Sequence, residues 1–291
     1  MKNTSQLSEF LPLDKSWINR MGILDLRFRK ATTVGFLKKQ TDLPDDLKAL
    51  LAASIAWRRG DLNIPVGESG TLLTFLSFLS WMPGGREAHF IRNRTLIERD
   101  LDGDPSIVNE PIEKLMQRRS KTSQWASAAV LCRNDEKVME NPPYRLGMTY
   151  EALEHWKKCY QEGVAWKPRA DQTTLKQAEC FLDILAGKKP SFEVLHSEDY
   201  CFGRVFRFIT PDEGRQRFPS ILNHESNRIQ EVERALYQMR NYTPVTSDDH
   251  RVVEAVYMYA TYRGHVITIQ NPGCVSKGWP KFWEFMKYAE A

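Results

Sequence analysis

Apolar residues return at intervals of three and four over much of this chain, which predicts a series of amphipathic helices. Leu43–Trp57 begins behind Pro-Asp-Asp and runs on as an Ala/Leu-rich helix, and Ser69–Trp81 follows a Gly-Glu-Ser-Gly turn. The same periodicity covers Ser123–Cys132, Thr149–Tyr160, Thr174–Leu185, Asn227–Arg240, Asp249–Tyr262 and Trp279–Tyr288. A further helix opens at Lys15. Short β-branched or aromatic runs at Arg204–Ile209 and His265–Ile269 read as strands. Helices alternating with short strands imply a mixed α and β architecture. Periodicity lapses over Gly163–Asp171, the expected boundary between two halves.

Composition sharpens this picture. The chain has 291 residues, 42% hydrophobic and 27% charged, the balance of a globular protein with a real core. Its formal charge of +4 comes from 41 basic and 37 acidic residues that interleave. That is a mild lean towards anions without the basic face of a nucleic-acid binder. The apolar run Leu72–Met82 is too short, and too interrupted by Thr74, Ser77 and Ser80, to cross a bilayer. Met1–Phe10 has no hydrophobic export segment. Five cysteines without CxxC spacing read as reduced thiols. A cytoplasmic protein without membrane or nucleic-acid partners is the expectation. No His/Cys cluster has metal-ligand spacing, so neither metal nor cofactor is expected.

Five helix starts gather small polar residues, four of them with a basic residue nearby. They are Lys15-Ser16-Trp17-Ile18-Asn19-Arg20, Gly67-Glu68-Ser69-Gly70-Thr71, Thr122-Ser123-Gln124, Glu225-Ser226-Asn227-Arg228 and Asp249-His250-Arg251. Helix N-termini expose unpaired N–H groups and the positive end of the dipole, and so attract phosphate and carboxylate. Any one of these motifs alone is more simply an N-cap. Five in one chain point to a site for a multiply anionic ligand.

In order, these motifs resemble those of the 5-enolpyruvylshikimate-3-phosphate synthase family. The likeness extends to Pro143-Tyr144 with Thr149 and to Cys274-Val275-Ser276-Lys277 before Trp279-Pro280, and it is collinear from Lys15 to Trp283. It implies two domains, each built from βαβαββ units, with helix N-termini facing a cleft that closes on substrate. The domains would be 16–165, and 1–15 with 166–291. Compressed spacing between motifs implies that some units are trimmed.

The resemblance also implies an activity: transfer of the enolpyruvyl group of phosphoenolpyruvate to a hydroxyl of shikimate 3-phosphate or a related acceptor, with release of phosphate, by a monomer. Lys15, Arg99, Gln124, Arg228, Arg251 and Lys277 would hold phosphoenolpyruvate. Ser16, Arg20, Thr122, Ser123, Gln124, Asn141, Asp199 and His224 would hold the acceptor. Lys15, Asp199 and Glu225 would handle protons. Arginine suits the first group because its planar fork grips oxyanions in two places. The family's Arg-Pro falls either at Arg99-Asp100 or at Glu110-Pro111, which lacks the cation. The lysine that precedes the family's glutamate is His224 here, and a basic residue after the glycine loop is Thr74. A degenerate homologue that binds an anionic metabolite or a protein partner is the alternative expectation.

Overall fold

The computed structural model describes residues 4–93, 96–98, 103–118, 123–133, 144–222 and 226–291. The chain forms two compact units, one of residues 1–12 with 170–291 and one of residues 13–169, against the expected 1–15 with 166–291 and 16–165. Among the described residues the structure is mixed α and β but mostly helical.

Helix α1 (Thr4–Leu7) belongs to the unit completed by the C-terminal half. Leu7 is buried in that unit's core, and Phe10 stacks on Tyr288 with ring centroids 5.1 Å apart. The Trp279 indole donates to the Phe10 carbonyl at 2.6 Å, and Asp171 N–H donates to the Pro12 carbonyl at 2.9 Å. The N-terminal segment is therefore held by apolar burial and by backbone hydrogen bonding.

The 13–169 unit holds α2 (Lys15–Arg27), α3 (Thr32–Leu37), α4 (Asp45–Arg59), β1 (Asn63–Gly67), α5 (Gly70–Trp81), β2 (His89–Arg92), α6 (Ile112–Arg118), α7 (Gln124–Arg133) and α8 (Gly147–Gln161). Its core gathers Ile18, Met21, Leu24, Leu50, Phe75, Phe78 and Leu131, all fully buried. Helix α4 is signalled at both ends, with Asp45 and Asp46 in its first turn and Arg58 and Arg59 in its last, complementing the dipole. Asp25 organises the inner face of α2 from a buried position. It accepts from Thr33 N–H (2.7 Å), the Trp156 indole (2.9 Å) and the Tyr160 hydroxyl (3.0 Å).

The remaining helices are α9 (Gln172–Leu185), α10 (Tyr200–Val205), α11 (Pro211–Arg217), α12 (Arg228–Arg240), α13 (His250–Arg263) and α14 (Phe282–Glu290). Their core contains Phe181, Tyr200, Phe202, Val253, Val256, Trp279, Phe282 and Phe285.

The strand expectations need correction. Arg204–Ile209 alternates like a strand, yet α10 runs to Val205 and the backbone then reverses at Arg207, where φ is 67°. The alternating phenylalanines serve an aromatic cluster instead: Phe206 lies 4.7 Å from Phe202, and Phe208 lies 5.6 Å from Phe192. His265–Ile269 contributes one bridge, Val245 to Ile269, and leaves Val266 exposed. The strands that do form were not expected. β1 and β2 pair in parallel with a register shift between Pro65 and Gly67. Five and four residues long, with a proline in one, they carry too little periodicity to stand out. Among the described residues these two strands make up the sheet structure, so repeated βαβαββ units are not displayed.

Candidate functional site

Each of the five polar motifs lies at a helix start: α2, α5, α7, α12 and α13 begin at Lys15, Gly70, Gln124, Arg228 and His250. Four of them are capped by side chains of the motifs or their neighbours. Asp14 accepts from Trp17 N–H at 2.9 Å, Ser69 from Leu72 N–H, Asn227 from Gln230 N–H and Asp249 from Arg251 N–H at 3.0 Å. Capping and the display of motif side chains occur together.

In the 13–169 unit, Asp14 holds the start of α2 through a second contact, a 2.7 Å pair with Arg169, whose guanidinium lies 4.3 Å from the Trp17 ring centroid. Lys15 reaches Asp46 on α4 at 3.0 Å. Arg20 donates to the Thr149 hydroxyl at 2.9 Å and to the Ser16 carbonyl at 2.8 Å; Thr149 in turn donates to Ser127 at 2.9 Å. Burial pushes the Arg20 pKa down to about 10, with Arg169 adding to the effect and Asp14 opposing it. Gln124 donates to Thr71 at 2.8 Å and accepts from Thr74 at 3.2 Å, joining the glycine loop to α7. Ser123 donates to the Arg145 carbonyl at 3.1 Å.

In the other unit, the start of α13 is the meeting point. Asp249 is 5% exposed and lies among buried neighbours. One of its oxygens accepts from Arg228 (3.0 Å) and from Ser226 (2.8 Å), which ties the α12 motif to the α13 motif. The turn Pro272–Lys277 closes on the same helix start, with Gly278 pressed against His250. A Cβ on Gly278 would lie 2.5 Å from His250 Cδ2 and 3.5 Å from Glu254 Oε1, so this position needs glycine. Lys277 immediately precedes it.

Arg251, 4% exposed, is surrounded by acceptors: Thr174 at 3.4 Å, Glu254 at 3.5 Å and Glu198 at 3.7 Å. Burial works against its charge, but Glu254, Glu198 and Asp171 outweigh that, and its pKa lies above the ordinary arginine value. Asp199, next to Glu198, is buried and accepts from Leu195 N–H and His196 N–H at 3.1 Å and from Gln177 at 3.3 Å. All three bonds fold its own turn or fix it to α9.

Arg99, Thr122, Asn141, His224 and Glu225 lie outside the described residues. At the alternative position for the family arginine, Glu110 pairs with Lys114 at 3.2 Å. The structure therefore brings together Arg228, Arg251 and the Lys277–Gly278 turn in one unit. It brings together Arg20 with Ser16, and Gln124 with the glycine loop, in the other. Sequence reasoning missed Asp46, Glu198 and Glu254, and named Thr149 within a motif without giving it a role. Glu254 stands one helical turn after Arg251 and was open to an i, i+3 reading. The others are joined to their partners only by the fold. Among the described residues, no group of three His, Cys, Asp or Glu could hold a metal ion. None of the described helices is long and apolar enough to cross a membrane. No protein-family model, curated protein or solved structure matches the chain.

Proposed function

We propose that the chain is an enolpyruvyl transferase of the 5-enolpyruvylshikimate-3-phosphate synthase type, with trimmed βαβαββ units, acting on phosphoenolpyruvate and shikimate 3-phosphate or a related hydroxylated acceptor. The observation that carries this reading is the convergence of Arg228, Arg251 and the Lys277–Gly278 turn on the start of α13 from three separate stretches of chain. Two buried guanidiniums, with Lys277 in the turn whose next residue packs on the same helix start, match a small ligand that bears both a carboxylate and a phosphate. The return of residues 1–12 to the unit of 170–291 supports the same reading.

In this proposal Arg228, Arg251, Lys277, Lys15, Gln124 and Arg99 hold phosphoenolpyruvate. Ser16, Arg20, Thr122, Ser123, Gln124, Asn141, Asp199 and His224 hold the acceptor. The acceptor hydroxyl oxygen bonds to C2 of phosphoenolpyruvate as C3 gains a proton, which gives a tetrahedral ketal. Loss of a proton from C3 then re-forms the double bond and expels phosphate. Glu225 exchanges the proton with C3, while Lys15 and Asp199 serve the hydroxyl side.

A second reading has its own support. Arg251 is already balanced by Glu254 and Glu198, as expected of a homologue that has turned from catalysis to structure or to binding alone. Phosphate release from phosphoenolpyruvate, followed with and without shikimate 3-phosphate, tests the pair. Release that requires both compounds supports transfer, and Glu225→Gln should then lower turnover about a hundred- to ten-thousand-fold while phosphoenolpyruvate still binds. Binding of phosphoenolpyruvate without release, over a panel of hydroxylated acceptors, favours the second reading. Absence of both binding and release overturns the two together.

A further inference from the structure

Away from these residues, the 1–12 and 170–291 unit contains a pocket of about 340 Å³ at the far end of α13. Its lining includes the aromatic residues Phe206, Tyr259 and Tyr262 and the basic residues Lys188, Arg207 and Arg263. Phe206 meets Tyr259 edge-on at 5.6 Å, and Tyr262 lies 6.1 Å from Phe206 and 6.3 Å from Tyr259. Tyr259 and Arg263 follow Arg251 along α13 by eight and twelve residues, which sets the pocket about 12–18 Å from it.

Three helices end here, and each closes in the same way. After α9, Lys188 N–H bonds back to the Asp183 carbonyl, with Gly187 at φ 72°. After α13, His265 N–H bonds back to Ala260, with Gly264 at φ 65°. After α10, Phe208 N–H bonds back to Gly203, and the left-handed residue is Arg207 at φ 67°. Such a helix end favours glycine, because a Cβ is strained there. Arg29 and Tyr242 share the conformation elsewhere, so it assigns nothing by itself. What sets Arg207 apart is that it lines the pocket together with Arg263.

Cations at helix C-termini commonly complement the dipole, and that accounts for Arg263 alone. It does not account for three rings around them, nor for the lack of acids. Lys188 is paired with Asp183 at 2.6 Å. Among the described residues, neither the Arg207 nor the Arg263 side chain has a hydrogen bond or an ion pair. Two unpaired arginines and three aromatic residues lining one pocket, in a volume at the lower end of ligand pockets, suit a flat ring carrying a charged oxyanion.

We propose that this pocket binds a small planar aromatic anion, with Arg207 and Arg263 on the anionic group and Phe206, Tyr259 and Tyr262 against the ring. The proposal is independent of the transferase reading. Phenyl phosphate, titrated calorimetrically into the full chain, is the probe, with inorganic phosphate and phenol as the separated halves. Saturable binding of phenyl phosphate, at least about tenfold tighter than either half, is expected, since both the charge-assisted contacts and the rings contribute.

Arg207→Gly should weaken binding about ten- to a hundredfold while the melting temperature stays the same or rises, because glycine relieves the left-handed backbone. A purely structural arginine would give the stability change without the loss of binding. Arg263→Gln should weaken binding as well. Arg251→Gln combined with Glu254→Gln, at the other end of α13, should leave it unchanged. The proposal is overturned if phenyl phosphate does not bind, if both pocket variants bind like wild type, or if only the variant at the start of α13 loses binding.

Discussion

The two units hold their assigned arginines in opposite ways. In the 13–169 unit, Arg20 is set among neutral acceptors, the Thr149 hydroxyl and the Ser16 carbonyl, and burial depresses its pKa to about 10. In the 170–291 portion, Arg228 faces Asp249, and Arg251 faces Glu254 and Glu198, whose carboxylates raise its pKa. A guanidinium held by hydroxyls keeps most of its charge available to an incoming oxyanion but is costly to bury. A guanidinium held by buried carboxylates is secure, and a ligand must compete with them. The second unit therefore fixes its cations strongly, and an anion bound there displaces or shares an existing partner.

Removal of a buried charge gives the largest expected difference between the units. Asp249→Ala strips the carboxylate from a pair whose side chains are 4% and 1% exposed, and should destabilise the chain by about 3–5 kcal/mol in urea unfolding. Asp14→Ala removes the α2 cap and a pair whose arginine is 30% exposed, and should cost about 1–2 kcal/mol. Equal losses from the two variants would erase the contrast.

A smaller effect is expected from the neutral network. Thr74→Val removes one hydroxyl from Gln124, which keeps its bond to Thr71, and should cost about 1 kcal/mol in the same assay. A loss as large as that of Asp249→Ala would show that the hydroxyl network carries as much as the charged one.

The smallest effect concerns pH. Burial raises the thiols of Cys132, Cys180 and Cys274 to about 12 and pushes Cys201 higher still. A raised acid pKa contributes stability that is present below the unfolded thiol's value of 9.0 and is lost as pH climbs through the folded one. Three of these four thiols lie in the 170–291 portion. In the other unit, Arg20 acts in the opposite sense: its folded pKa is below its unfolded value of 12.5, so its deprotonation adds stability between about 10 and 12.5. Alkaline pH should therefore loosen the 170–291 portion first. Mass spectrometry of thiol labelling between pH 8 and 10.5 should find Cys201 modified before Cys132, both being buried at neutral pH. The reverse order would break the comparison.

The longer helices were legible because their apolar faces repeat at 3.6 residues, and every expected helix is present, with ends shifted by a few residues; the short α1, α3, α6, α10 and α11 span too few turns to show the repeat. The strands were not. Arg204–Ile209 alternates because Phe206 packs on Phe202 and Phe208 on Phe192, and the reversal at Arg207 occurs at a residue that does not advertise it. Pro65 and the brevity of β2 hid the pair that does form. At the candidate site, the motifs mark where the helices start, while the partners that set the electrostatics do not show in them. Thr174 meets Arg251 across 77 residues of chain, and Thr149 meets Arg20 across 129. Glu254 alone was within reach of a helical-spacing argument.

The central claim is that the start of α13 holds the anionic groups of phosphoenolpyruvate. Calorimetric titration of phosphoenolpyruvate into wild type and into Arg251→Gln/Glu254→Gln tests it most directly. The paired substitution removes both buried charges together, so no buried carboxylate is stranded; Glu198, the carboxylate that also loses Arg251, has a side chain 42% exposed. The account predicts saturable binding to wild type, about ten- to a hundredfold weaker binding to the double variant, and affinity within a few-fold of wild type for Arg20→Gln, which the proposal assigns to the acceptor. Equal affinity in wild type and the double variant, or no binding to wild type, would contradict it.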